Sequence, residues 1–291
     1  MENASNALRI LDPEQEGGDV PAGFFRRAVD LPVRDEVLRI VVDVPDRPLR
    51  LAEAVPLVHA IDDRLVAVYL RQAERGRKPI YCRRGCSACC ERFLIIFSPA
   101  EMYYLRERIE AFPPERRQRV LDWFDAQADR ARRGGLIDRL RNLPTGEDPM
   151  DAIERWWRQQ DRTACPFLHA AEGVCGLYGQ RFVACREYYS QAPRDHCARR
   201  ATARMPMPLN LMSVLWQLEQ RLTGEPIGAM SLPFFKLWSD LRKDQARRTW
   251  PAVQVVDTLL DILAETAAAA RQLSAGAIVD ATEQDENDGP T

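Results

Sequence analysis

All eight cysteines of this 291-residue chain fall between Cys82 and Cys197, a window of 116 residues, and the other 175 residues contain none. Thiols used only as small core hydrophobes have no reason to crowd in this way. They form two groups. The first is Cys82-x3-Cys86-x2-Cys89-Cys90, and the second is Cys165, Cys175, Cys185 and Cys197 with gaps of nine, nine and eleven residues.

Metal chemistry accounts for the first spacing. Two to four residues between cysteines let a tight turn aim two sulfurs at one ion, and Gly85 permits the dihedrals such a turn needs. Thiolates are soft ligands, which favours zinc or iron over magnesium or calcium. Side chains of the neighbours Cys89 and Cys90 diverge in an extended backbone, so they serve two ions, or one ligates while the other packs. Eight thiolates suffice for two four-sulfur sites holding zinc or an iron–sulfur cluster, and equally for one multinuclear centre.

Disulfides are the competing use of an even cysteine count. A chain of this length buries a core without such staples. Its start, Met1-Glu-Asn-Ala-Ser5, has neither the basic residues nor the apolar stretch of a secretory signal, and no run of ~18 apolar residues spans a membrane. The expectation is a cytoplasmic chain with reduced thiols. With 41 basic against 43 acidic residues, a net charge of −2 and a pI near 6.0, the composition argues against a nucleic-acid coat or a polybasic membrane binder.

Charge is uneven locally. Arg181, Arg186, Arg194, Arg199, Arg200 and Arg204 face only Glu187 and Asp195 in their stretch, and Arg83, Arg84 and Arg92 flank the first cysteine group. Such cations offset the negative charge of metal thiolates. They would also suit an anionic substrate, or form a solvated basic face. Of the three histidines, His59 lies on a helix away from the cysteines. His169 and His196 stand near Cys175 and Cys197 as ligand substitutes or hydrogen-bond partners of sulfur, the second role being preferred. Glu91 and Glu187 are acid–base candidates with surface roles as the default, and Tyr178, Tyr188 and Tyr189 are expected to pack the cysteine loops. No phosphate loop, nucleophile elbow, His-Glu-x-x-His or dinucleotide fingerprint occurs.

The rest of the chain predicts a mainly α fold, a helical bundle around a cysteine-rich, loop-rich metal centre with a small N-terminal β element. Residues 1–23, broken by Pro13, Gly17, Gly18, Pro21 and Gly23, read as a flexible lead-in. Strands are expected over Arg27–Val33 and Val37–Val44. A helix through Leu57, Ile61, Leu65 and Val68 should end near Gly76. Ser98-Pro99-Ala100-Glu101 is a capping box opening a helix through Met102, Leu105 and Ile109. Pro113 and Pro114 open another along Val120, Phe124, Ala128 and Ala131, ending at Gly134-Gly135; a third carries Met150, Ile153, Trp156 and Trp157. Beyond Pro206 the pattern is helical throughout. One stripe runs through Leu211, Val214, Leu215, Leu218 and Leu222 to a C-cap at Gly224, a second through Phe234, Leu237, Trp238 and Leu241, and a third through Val255, Leu259 and Ile262. The expected division is a cysteine-cluster domain at 24–205, a helical region packed on it at 206–272 and a disordered acidic tail at 273–291.

The chain resembles the YkgJ-like cysteine-cluster proteins, the CxxCxxCC zinc- or iron-chelating family. The resemblance rests on Cys86-Ser-Ala-Cys89-Cys90, on Phe97-Ser-Pro-Ala-Glu101 and on Cys165-Pro-Phe-Leu168. It continues in Cys175-Gly-Leu-Tyr178 and Arg181-Phe-Val-Ala-Cys185-Arg-Glu-Tyr188. It covers roughly residues 80–200 and implies metal binding at Cys82, Cys86, Cys89, Cys90, Cys165, Cys175, Cys185 and Cys197, without a settled reaction. The first gap is three residues where the family's name has two. Cys82-x3-Cys86-x2-Cys89 also resembles the cluster spacing of radical S-adenosylmethionine enzymes, although Ala88 replaces their usual aromatic and no alternating β–α pattern follows. The family further includes relatives of flagellin lysine N-methylase. The leading expectation is therefore a metal-binding protein. The alternatives are an iron–sulfur, S-adenosylmethionine-dependent methyl- or radical-transfer enzyme, and a zinc-stabilised protein with a protein partner.

Overall fold

The computed structural model describes residues 7–160, 164–198, 203–225 and 230–285, with side chains at 198 and 273–285 set aside. About 53% of the chain is helical, so the mainly α expectation holds. Among the described residues, nine short to medium strands precede and interleave the helices: β1 (Arg9–Leu11), β2 (Phe24–Val33), β3 (Glu36–Pro45), β4 (Pro48–Leu49), β5 (Ile96–Phe97), β6 (Leu168–His169), β7 (Val174–Cys175), β8 (Met230–Ser231) and β9 (Trp250–Pro251). The helices in the first half are α1 (Leu51–Arg75), α2 (Pro99–Glu110), α3 (Pro114–Arg133), α4 (Leu136–Arg141) and α5 (Pro149–Gln159). Those in the second half are α6 (Val183–Arg186), α7 (Arg194–Ala198), α8 (Leu211–Thr223), α9 (Phe235–Leu241) and α10 (Ala252–Asp285).

The chain divides into two compact units. One comprises Met1–Gln72, Pro206–Glu225 and Thr249–Thr291; the other comprises Ala73–Met205 and Pro226–Arg248. This differs from the expected boundaries. The N-terminal β element belongs with the C-terminal helices and not with the cysteines, because its apolar face is covered by elements from the far end of the chain.

In the cysteine-free unit, β1, β3 and β2 form an antiparallel sheet in that order. The β2–β3 hairpin turns at Arg34, which takes a left-handed φ of 55°. Central β3 buries every residue from Ile40 to Pro45, as a strand covered on both faces must. Asp43 within it is 3% exposed, and its cross-strand partner Arg26 meets both carboxylate oxygens at 2.7 and 3.0 Å, so the buried charge is paired. Helix α10 packs on β2 and α8, with Val255, Val256, Leu259 and Ile262 fully buried, and Arg27 pairs with Asp257 at 2.7 Å. Helix α1 begins at Leu51, earlier than its apolar stripe suggests, and carries Pro56 inside it. Part of the expected lead-in is regular, since β1 lies in it. Helix α10 runs on to Asp285, into the stretch expected as a tail, and residues 286–291 lie outside the described ones.

In the cysteine unit, two apolar clusters are built by helices. Phe97, Phe124, Phe182 and Phe235 interlock, with Phe97 stacked on Phe182 at 5.0 Å and Phe124 on Phe235 at 4.8 Å. Ala131, Leu136, Ile153, Trp156, Trp157 and Phe234 form the other. The stripe expected on α9 is only half used: Phe234 is buried and Trp238 packs against its cluster, whereas Leu237 and Leu241 are 46% and 65% exposed. Helix α9 has barely two turns, and only Phe235 and Ser239 within it are buried. Among the described residues, no helix is long and apolar enough to cross a membrane.

Candidate metal centre

The cysteines sit on short elements joined by backbone hydrogen bonds. The turn after Cys82 is closed by the Cys86 N–H donating to the Arg83 carbonyl at 3.0 Å, with Gly85 at φ 84° as its spacing required. The Cys165 N–H donates to the Cys90 carbonyl at 2.8 Å, joining the second group directly to the first. Cys175 lies on β7, whose hairpin with β6 turns at Gly173 (φ 65°). A Cβ at Gly173 would stand 2.7 Å from the Gly85 carbonyl oxygen, so the two turns touch where only glycine fits. Cys185 lies on α6 and Cys197, 5% exposed, on α7.

The segment 188–191 is the seam of the site. On one side the Tyr81 N–H donates to the Ser190 carbonyl at 2.9 Å, and the Ser190 N–H donates to the Cys82 Sγ at 3.1 Å. On the other side the Gln191 N–H donates to the Ala203 carbonyl and the Met205 N–H to the Tyr189 carbonyl, at 2.7 and 2.8 Å. Tyr188 packs on Phe93 at 4.9 Å and lies under the Arg204 guanidinium at 4.8 Å, which is the packing role expected of it.

The thiols act on one another. Burial pushes the Cys82 thiol up; the Ser190 amide eases it, and Cys86, Cys89 and Cys197 push it further. Burial pushes Cys165 up to about 12, with Cys175 and Cys89 adding to the effect against the Phe167 amide. Cys175 is raised first by burial, then relieved by the Leu177 amide and by Arg181 and Arg116, with Cys89 opposing. Cys185 is held well above the ordinary thiol range by burial and then by Cys165, Cys89 and Cys175, while Arg181 lowers it. Cys89 is raised chiefly by its hydrogen bond with Cys90 and next by burial. Cys89 acts on thiols of both groups, on Cys82 in the first and on Cys165, Cys175 and Cys185 in the second. Burial and mutual repulsion favour the protonated form at Cys82, Cys89, Cys165, Cys175 and Cys185, and a metal binding there must displace those protons.

Of the basic residues singled out above, Arg181 is the one that reaches two thiols. Arg186 is 4% exposed and spends its guanidinium on the Arg181 and Gly179 carbonyls. Arg194 meets Glu91 at 3.6 Å, Arg83 and Arg84 are exposed, and Arg199 and Arg200 lie outside the described residues. His169 and His196 are exposed. Glu91 accepts from the Ser87 hydroxyl at 2.6 Å, and Glu187 is 1% exposed.

The donor set suits zinc or iron: sulfur in plenty, partly shielded from water, with arginines nearby. Among the described residues, however, no group of three or more His, Cys, Asp or Glu side chains is arranged to hold a metal ion. The thiols stand in one another's field without forming a closed ligand shell.

Three supports of this site have no signature in the pattern of cysteines. The Ser190 amide is a backbone group and leaves no trace in a side-chain motif. Arg116, on α3, donates to the Gly176 carbonyl at 3.0 Å from 60 residues away. Glu101 is visible as half of a capping box, but its second oxygen accepts from the Val183 N–H at 2.7 Å. Comparison with protein-family models, with curated proteins and with solved structures finds no match for the chain.

Proposed function

We propose that the chain is a metal-binding protein that holds zinc or iron through Cys82, Cys86, Cys89, Cys90, Cys165, Cys175, Cys185 and Cys197. One observation carries the reading. Two cysteine groups far apart in sequence meet through the Cys165 N–H and the Cys90 carbonyl at 2.8 Å, and Cys89 acts on Cys82 in its own group and on Cys165, Cys175 and Cys185 in the other. Protonated thiols buried against one another gain nothing from that crowding, whereas a soft cation turns it into favourable charge pairing. The resemblance to the CxxCxxCC family supports the same reading.

In this reading the residues have separate tasks. The cysteines release their protons and supply the ligands. Arg181 and Arg116 offset the negative charge that accumulates near Cys175, and Arg181 does the same for Cys185. The Ser190, Phe167 and Leu177 amides point N–H dipoles at Cys82, Cys165 and Cys175, which stabilises thiolate over thiol. When bound, zinc would supply a structural crosslink, and an iron–sulfur cluster would add electron transfer.

The test is anaerobic purification followed by metal and sulfide quantification and an absorption spectrum on one sample. At least one equivalent of zinc or iron, lost in a Cys89→Ser variant, is the expected result. Well under one equivalent of both with all thiols free would overturn the proposal. Iron with sulfide and a broad band near ~400 nm would direct attention to redox chemistry. Tightly held zinc would make the site a crosslink.

A further inference from the structure

We infer that Glu101 is a positioning residue for Cys185: from α2 it supplies the N-terminal cap that α6 lacks, and thereby fixes the Cys185 thiol in the cysteine network. The inference deepens the metal-centre reading and rests on it only for what that thiol binds.

Helix α6 spans only Val183–Arg186, and its N-cap residue Phe182 has no side-chain acceptor. The first N–H groups of a helix have no partner within it. Here the Val183 N–H donates to Glu101 Oε1 at 2.7 Å. The other oxygen, Oε2, accepts from the Ser98 N–H at 3.0 Å and the Ser98 hydroxyl at 3.2 Å, while the Glu101 N–H donates back to the Ser98 Oγ at 3.2 Å. One carboxylate therefore caps two helices at once.

A capping box needs only one oxygen and normally lies at the surface, where its carboxylate stays hydrated. Glu101 is 1% exposed. Burying a carboxylate is costly unless hydrogen bonds replace its water, so its burial makes sense only with the second bond in place. The junction is reinforced by Phe97, two residues before α2, stacked at 5.0 Å on Phe182, the residue before α6. At the other end of α6, the Arg186 guanidinium is tied to the Arg181 and Gly179 carbonyls. Cys185 is thus carried on a single helical turn clamped at both ends, within the field of Cys165, Cys89 and Cys175.

The test compares three changes by the rate at which iodoacetamide alkylates each cysteine in the metal-free full chain, read by mass spectrometry. Val183→Pro removes the N–H that Glu101 accepts, yet proline is tolerated at a first helical position. Phe182, with ψ 149°, already has the conformation a following proline demands. Alkylation of Cys185 should rise about tenfold, the factor expected for a lost buried hydrogen bond, while the other seven cysteines change little. Ser98→Ala strips the α2 cap and leaves the Val183 bond; it should lower thermal stability without changing Cys185 reactivity. Glu101→Gln, which keeps one carbonyl acceptor, should rescue Cys185 relative to Glu101→Ala.

Cobalt(II) added to each protein gives a second readout. The thiolate-to-cobalt absorption should weaken in Val183→Pro and Glu101→Ala and persist in Ser98→Ala. Unchanged Cys185 reactivity in Val183→Pro, or an equal rise at all eight cysteines, would overturn the assignment. If Val183→Pro does not fold, Glu101→Gln behaving like Glu101→Ala at Cys185 would do so instead. A wild-type chain that takes up no cobalt would sink the metal-centre reading, and the alkylation contrast would still decide the role of Glu101.

Discussion

In the cysteine-free unit, Ile40, Val42, Val44, Ile61, Leu65, Leu215, Leu218, Val255 and Leu259 are all withdrawn completely from water. Around the cysteines of the other unit, nearly every residue from Cys82 to Cys90 and from Ala164 to Gly176 is exposed or half-buried. The first unit coheres by apolar burial over long elements. The second has two apolar clusters, but its cysteine loops are held mainly by backbone hydrogen bonds, by the reach of Arg116 to the Gly176 carbonyl and by the Gly173–Gly85 contact. Loops of that kind lack the buried area to offset their own ordering entropy. The contrast teaches where a bound metal would matter for folding, and it can be broken by experiment.

The largest expected effect is metal removal. Structural zinc is worth on the order of 10 kcal/mol in small sites, so a chelator should strip hydrogen-exchange protection from residues 80–200 while β3 and α10 keep theirs. Equal loss in both units would erase the contrast. Next, Leu259→Ala should cost about 2–5 kcal/mol through the cavity left in a closed core, measured by urea unfolding, with metal content unchanged.

Gly173→Ala should cost about 1–3 kcal/mol, because it adds a left-handed strain to a Cβ placed 2.7 Å from the Gly85 carbonyl. Unlike Leu259→Ala, it should lower metal stoichiometry. Alkali should discriminate the units as well. The folded Cys165 thiol stands at about 12 against an ordinary 9.0, so the unfolded chain loses that proton first. Stability is therefore complete below pH 9 and falls as pH rises through the interval to about 12, by about 1 kcal/mol at pH 10 for this group. The metal-free cysteine unit should show that loss in a pH series of unfolding midpoints. The smallest effect is Asn210→Ala, which removes the side-chain cap that accepts from the Ser213 N–H at 3.0 Å and should cost about 1 kcal/mol in the cysteine-free unit only.

What was legible in the sequence was local. The capping box at Ser98 and Glu101, the C-cap at Gly224 with φ 71°, the hairpin of β2 and β3 and the left-handed Gly85 are each set by a few adjacent residues, and each is present. The partition into units was not legible, because it depends on which distant helix covers the sheet, and Arg27 meets Asp257 across 230 residues. Within the site, the two cysteine groups were legible as groups. The contact of Gly173 with Gly85 and the reach of Glu101 to Val183 were not, since a glycine or a capping glutamate looks the same in sequence whether or not a second segment arrives to use it.

The interleaved order of the segments has a consequence for synthesis. The cysteine-free unit takes its third piece from Thr249 onward, so its sheet lacks the α10 cover until that piece has been made. Cys197, the last thiol, is translated more than fifty residues earlier. At about 5–20 residues per second, a nascent chain therefore displays a full set of cysteines for several seconds before its apolar sheet can close. In the metal-binding reading proposed above, the thiols would meet a cation while the other unit is still waiting for its lid.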